Sequence, residues 1–350
     1  MQTFAFAHGP DWRACVEALG RPGRGLGFVY FTDALVDASQ EILSTLKSET
    51  GVDDWIGTVG TGVLATGTEY QDGPALAAMV ADVDAFSVFS GRTPLKSSGS
   101  FAVVHADPAA PDLPGLVADM SAKVAGRGAR GAARTAGYIV GGVSSSRSRT
   151  VQIANEVLTG GLSGAVLGEE VAVATRLTQG CTPYPGRFRV TEGEDNLIAR
   201  LDGRPALEVM LEAVGGERTQ LLVGLPVPGS DTGDYTARNI VGVDPKAGLL
   251  AIGDLVEPGM EILFCKRDAA AAGKDLEGIL ASLKRDAPHP RGALYYSCVA
   301  RGEHMFGRRG AELDLVKRSL GEVPLVGFFC NGEISRDRLY GYTGVLTVFR

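Results

Sequence analysis

The sequence predicts an α/β or α+β fold: duplicated strand-helix-strand-strand units forming mixed β-sheets flanked by helices. Three observations carry this. Short apolar runs bounded by Gly, Pro, Asn and Asp alternate with stretches of helical periodicity. The alternation recurs in three loose copies, each with a glycine in its second strand. Glycine is also abundant, 48 of 350 residues, about twice the usual ~7%, which points to tight turns and close backbone approaches.

The first copy opens with a strand at Gly27–Phe31. A helix over residues 33–48 follows, with Leu35, Ala38, Ile42 and Leu46 at helical spacing and Gly51 as its stop. Trp55–Gly60, carrying Gly57, reads as the next strand, ahead of a hairpin near Gly73–Val80. The second copy runs from the Phe101–His105 strand through a helix at residues 113–125 (Leu116, Met120, Val124) to Tyr138–Gly142, carrying Gly141, and a hairpin around Gly161–Leu167. The third runs from Ala293–Val299 through a helix at residues 311–320, stopped by Gly321 and Pro324. It ends with Val326–Cys330, carrying Gly327, and a strand at Thr343–Phe349. Between the second and third copies lie strands at Glu170–Arg176, Leu197–Asp202, Thr219–Gly224 and Met260–Cys265, and helices at residues 205–214 and 275–284. The Pro-, Gly- and Thr-rich stretch Gln179–Gly193 is the best boundary, dividing the chain into residues 1–190 and 191–350. Gly126–Thr135 reads as a loop.

Charge and cysteine content exclude several classes. Thirty-four basic against 41 acidic residues, net −7, lacks the basic footprint of a nucleic-acid binder. No apolar run reaches membrane-spanning length, and the N-terminus has no leader pattern, so no membrane insertion is expected. Cys15, Cys181, Cys265, Cys298 and Cys330 are odd in number and scattered, as in a cytoplasmic protein with reduced thiols.

Common catalytic and phosphate-binding motifs are absent. Gly23, Gly25 and Gly27 precede a strand, where a dinucleotide loop follows one, and Gly57–Gly62 opens no helix to hold phosphate. His8, His105, His289 and His304 stand apart from each other, so no metal site is expected. The polar strand ends near the C-terminus are more informative. Ser297-Cys298-Val299-Ala300-Arg301 and Cys330-Asn331-Gly332-Glu333 each close an apolar strand. Ligands gather where such ends expose polar groups. Arg301 and Glu333 match the two charges of an amino-acid zwitterion. An Arg301–Glu333 salt bridge beside a type I′ Asn-Gly turn explains the same residues. Cys298 beside Arg301 fits a lowered thiol pKa, or a buried small hydrophobe. Arg238 and Ser144 are second-choice contacts, and both have a structural reading, Arg238 as a solvated side chain and Ser144 as part of a polar turn.

The order of several segments resembles the FIST family. They are Gly137–Ser146, Gly161–Gly164, Gln179–Pro183, Leu201–Leu207, Tyr296–Gly302, Leu325–Ile334 and Tyr342–Leu346. The likeness covers nearly the whole chain, as an N-terminal FIST unit followed by the C-terminal unit. It implies a sensory module for a small ligand, with amino acids or their derivatives the proposed class. Relatives are fused to signalling outputs. Here the FIST units use up the length, which implies signalling to a separate partner protein. Some relatives resemble haem proteins that sense nitric oxide. No axial histidine carries over, so no cofactor is expected and haem stays the alternative, with His304 or His105 as its ligand. A thiol-dependent enzyme using Cys298 or Cys330 ranks below both, since no base accompanies either thiol, and the expectation is that the protein is not an enzyme.

Overall fold

A computed structural model describes residues 4–93, 95, 99–124, 137–217, 220–228 and 234–350. The loop expected at Gly126–Thr135 lies outside the described residues. The chain forms two spatial units, residues 1–179 with 273–350, and residues 180–272. The second is an insertion in the first, so a cut at 190/191 falls inside its Phe188–Glu194 strand.

The first unit holds three six-stranded sheets of identical strand order. The first sheet runs Ala5–Gly9, Leu76–Ala81, Leu26–Thr32, Asp54–Gly60, Gln152–Ala154, Val157–Leu158. The second runs Phe86–Phe89, Leu162–Leu167, Phe101–Ala106, Tyr138–Val143, Glu333–Ser335, Arg338–Tyr340. The third runs Val173–Thr178, Gly344–Phe349, Gly292–Cys298, Leu325–Cys330, Gly62–Ala65, Thr68–Gln71. In each sheet the two central strands are parallel and joined by helix, and the next strand is antiparallel. These are the three copies read in the sequence.

The outermost hairpin of each sheet comes from another copy. After Asp54–Gly60 the chain leaves its own sheet and pairs with Leu325–Cys330. After Tyr138–Val143 it pairs with Asp54–Gly60, and after Leu325–Cys330 it pairs with Tyr138–Val143. The exchange is cyclic and ties each copy to the other two. The hairpins expected at Gly73–Val80 and Gly161–Leu167 are therefore single strands, and the true hairpins lie earlier in each copy.

Side chains alternate between two layers, as the two-residue period of a strand requires. Phe28, Tyr30, Val103, Leu294 and Tyr296 point into a core shared by all three sheets. Val29 and Phe31 face the Trp12–Leu19 and Ser39–Thr50 helices. Val104 faces Val117 and Met120 of Leu113–Val124. Ala293 and Tyr295 face Leu276, Leu280, Leu313 and Val316. Trp12–Leu19 was not expected; Asp11 starts it by accepting from the Arg13 and Ala14 amides.

The second unit is a closed antiparallel barrel. Its strands follow the order Glu261–Arg267, Phe188–Glu194, Leu197–Leu201, Leu249–Ile252, Tyr235–Asp244, Leu221–Pro226, and the last pairs back to the first. Val209 and Met210 of the Ala206–Ala213 helix join its core.

Candidate functional site

The third sheet ends at Cys298 and Cys330, which lie side by side on parallel strands. Beyond Cys298 the chain turns back, with the Arg301 amide donating to the Cys298 carbonyl at 2.8 Å. Gly302 makes the turn possible. Its φ is +56°, and a Cβ there would stand 2.7 Å from the Phe329 ring. Arg301 is thereby folded inward to 1% exposure. Its Nε donates to Glu312 Oε1 at 2.7 Å, and the Phe306 ring lies 5.2 Å from the guanidinium. Tyr295 and Ser297, on the helix-facing side of the strand, donate to the two Glu312 oxygens at 2.6 and 3.0 Å. Glu312 also sits in the first turn of Ala311–Leu320, where a carboxylate complements the helix dipole. The salt bridge of Arg301 is thus with Glu312, not Glu333, and among the described residues Nη1 has no acceptor.

Glu69, on the hairpin delivered from the first copy, reaches the same edge. It is 5% exposed, and neither carboxylate oxygen has a well-formed hydrogen bond. Burial lifts its pKa to about 7 against the pull of the Gly310 amide, and the nearby Glu312 charge adds to the rise.

Glu333 approaches from the inner side. It lies opposite Gly142, where a Cβ would stand 2.2 Å from Cys330 Sγ. Glu333 is fully buried. Oε2 accepts from the Thr343 amide at 3.1 Å and the Thr343 hydroxyl at 2.8 Å, while Oε1 has no well-formed hydrogen bond among the described residues. Burial raises its pKa to about 8, opposed by Thr343, Arg301 and Cys298. The corresponding residues of the other two hairpins are Gln152, opposite Thr58, and Val63, opposite Phe328. Gln152 is satisfied by Ser163 and the Gly161 carbonyl. Of the three positions only Glu333 brings a carboxyl group to the core.

Cys298 is pushed up to about 12 by burial and then by Glu333. Burial also raises Cys330, with Glu333 and Cys298 adding to it. Arg301 favours the Cys298 thiolate but is outweighed, so neither thiol has the lowered pKa of a nucleophile.

The structure brings Cys298, Arg301 and Glu333 to one strand edge. Asn331 is exposed beside them and donates its amide to the Val143 carbonyl at 3.0 Å. Asn331-Gly332 is no type I′ turn, because Asn331 lacks a positive φ and the strands it joins belong to different sheets. Ser144 is buried on the adjoining strand end, bonded to the Thr58 hydroxyl (2.6 Å) and the Ala106 carbonyl (3.0 Å). Arg238 belongs to the barrel unit, where its Nε donates to Asp254 at 2.6 Å. Glu69 and Glu312 escaped the sequence reading, which took the turn residues of one copy at a time.

The histidines occupy other places. Tyr30, His105 and Tyr296 are the fifth residues of the three leading strands and meet in the shared core. Tyr30 Oη lies 3.1 Å from His105 Nε2 and 2.8 Å from Tyr296 Oη. Burial drives the His105 pKa down to about 3, so it is neutral. Rings of Tyr30, Phe328 and Tyr296 stand 5.5, 6.1 and 6.4 Å from its own. That packing has no space for a porphyrin, so His105 does not fit a haem ligand. His304 is exposed on the short Glu303–Phe306 helix, and His8 Nδ1 lies 2.8 Å from the Tyr70 hydroxyl. Among the described residues no three His, Cys, Asp or Glu side chains are grouped as a metal site, and no helix is long and apolar enough to cross a membrane.

Comparison with known proteins gives two family matches: the FIST N domain over residues 25–204 and the FIST C domain over residues 206–336. Two proteins from strains of Mycobacterium tuberculosis, both described as uncharacterized, are 30% identical over 351 residues. The match covers 93% of this chain and 90% of theirs. An uncharacterized protein of Mycobacterium bovis is 29% identical over 375 residues, covering 97% of this chain and 96% of its own.

Proposed function

This chain belongs to the FIST family, whose domains are associated with sensory signalling and small-ligand binding, and from that premise we propose that it is a cytoplasmic sensor of a small polar ligand. The proposed ligand is an amino acid or a derivative, held at the carboxyl edge of the third sheet. One observation carries this reading. Arg301 Nη1, Glu333 Oε1 and both Glu69 oxygens are buried at that edge without well-formed hydrogen bonds. Buried polar groups in native proteins are nearly always paired, so a cluster of orphans of both signs is what a zwitterionic guest would complete. Its carboxylate would take the free guanidinium nitrogen, and its ammonium a Glu333 oxygen in place of the proton.

Binding signals only if the ligand favours one of two states. Glu333 is suited to that role because its hairpin comes from the third copy and pairs with the second sheet. The reading makes the protein a binder rather than an enzyme, since both local thiols are held protonated. It also places the output on a separate partner protein.

The test is a thermal-shift screen of amino acids and their derivatives. A ligand at 100 times its Kd adds about 2.7 kcal/mol to stability and raises Tm. The shift should vanish in Glu333→Gln and Arg301→Lys. No shift with any compound of this class, or a shift unchanged in both variants, overturns the reading.

A further inference from the structure

We propose that the outer face of the barrel, around Leu197, Val241 and Leu255, docks an extended apolar segment of a partner protein flanked by lysines or arginines. This goes beyond ligand binding and rests on the barrel unit alone. Six large hydrophobic side chains are exposed among the described residues, and five of them, these three with Val243 and Leu211, belong to residues 180–272. Leu255 is 69% exposed and Val241 60%. Scattered exposed apolar residues are ordinary, whereas a contiguous patch marks an interaction site.

These three are contiguous. Leu197 and Gly242 both lie opposite Ala251, on the two sides of one strand. Val241 sits at the register shift between Ile240 and Gly242, and a Cβ on Gly253 would stand 3.9 Å from its side chain. Leu255 follows two residues later, and the next amide, Val256, donates to the Asp195 carbonyl at 2.7 Å, in the turn leading into Leu197.

The backbone beside the patch is also open to pairing. Tyr235–Asp244 pairs with Leu221–Pro226 only over residues 235–239, so among the described residues its 240–244 end has a partner strand on one side alone. A strand edge carrying exposed valines is a template for strand addition.

Charge selects the occupant. Glu194, Asp195, Asp244 and Glu257 are exposed around the patch, and none is in an ion pair among the described residues, whereas Arg200 and Arg238 on the same strands are paired with Glu192 and Asp254 and leave Lys246 as an exposed cation beside Asp244. A second copy of the same face would set carboxylates against carboxylates, which disfavours self-association. A basic-flanked segment meets them with opposite sign.

The experiment uses the full chain and a fluorescent synthetic peptide of alternating Val and Thr between paired lysines, with a glutamate-flanked version as control. Fluorescence anisotropy should show binding of the lysine peptide that weakens with salt. Binding should fall at least about tenfold (about 1.4 kcal/mol) in Val241→Asp and in Leu255→Asp, with Tm unchanged. The proposal is overturned by no binding up to about 1 mM peptide, by equal binding of the glutamate version, or by full binding in both variants. It is also overturned if sedimentation shows a dimer that Leu255→Asp dissolves, which assigns the face to a second copy.

Discussion

Arg301 and Glu312 form an ion pair sealed from solvent, with Nη2 2.6 Å from Oε1 and side chains 0% and 1% exposed. Removing two charges from water is costly, and attraction offsets the cost only when the remaining valences are met. Tyr295 and Ser297 meet those of Glu312. Glu312→Ala strands the guanidinium and should cost about 3–5 kcal/mol in urea unfolding. The double change Arg301→Met with Glu312→Leu removes both charges and should recover most of that loss. A single-variant cost under about 1 kcal/mol would mean that the pair contributes as little as one on the surface.

The three repeat glycines are irreplaceable for one reason. Gly57, Gly141 and Gly327 lie opposite Val29, Val104 and Tyr295 on the parallel neighbour. A Cβ would fall 1.7, 1.8 and 1.7 Å from the carbonyl oxygens of those residues. The obstacle is backbone held in a central strand, so it cannot swing aside. Each Gly→Ala change should destabilise by more than about 3 kcal/mol. At Gly73, where a Cβ would meet nothing within 4 Å, the same change should stay within about 0.5 kcal/mol. Equal unfolding midpoints for Gly327→Ala and Gly73→Ala would refute the assignment.

Those glycines are also why the triplication was legible. They recur in the second strand of every copy, and the flanking strands and helix stops are local signals, as with Gly51 and Gly321, which cap their helices. The hairpin exchange was not legible, because no local pattern in Gly62–Gln71 tells that its partner is Phe328, hundreds of residues away in sequence. The site divides the same way. Arg301 and Glu333 stand out as charges ending apolar strands. Glu69 sits within a mixed hairpin, and Glu312 within an ordinary amphipathic helix, so only the fold assigns them to the same edge. Of the two readings of Cys298, the buried small hydrophobe holds: the Arg301 charge beside it is visible in sequence, and the desolvation that outweighs that charge is not.

Desolvation makes a direct prediction about the thiols. All five cysteines are free and buried. Burial pushes Cys15 up to about 11 and Cys298 to about 12, with Asp11 and Glu333 respectively adding to the rise. The reactive species is the thiolate, so the native protein at pH 7.5 should show no fast reaction with an aromatic disulfide reagent. Five equivalents should react at once in denaturant. Rapid native labelling of Cys298 would show that its surroundings favour the thiolate after all and would revive a thiol chemistry at the site.

Glu333 should make the protein less stable as pH rises. An unfolded glutamate loses its proton near the ordinary value of 4.5, while the folded one keeps it to about 8. Between these limits the folded state binds more protons than the unfolded state, so each step up in pH favours unfolding. Below pH 4.5 both states are protonated and above pH 8 neither is, so the contribution is flat outside the window. Glu333→Gln removes the titration while keeping the Thr343 acceptor. Urea midpoints from about pH 5 to 8.5 should show the wild type losing ground steadily to this variant up to about pH 8. Glu69→Gln should do the same in a window closing near pH 7. Carboxylates with lowered pKa values, such as Asp33 paired with Arg147, are common to all three proteins and cancel in the comparison. Parallel curves for wild type and Glu333→Gln would mean that the carboxyl group is ionised in the folded state at neutral pH, and the proton that the proposed ammonium displaces would not be there.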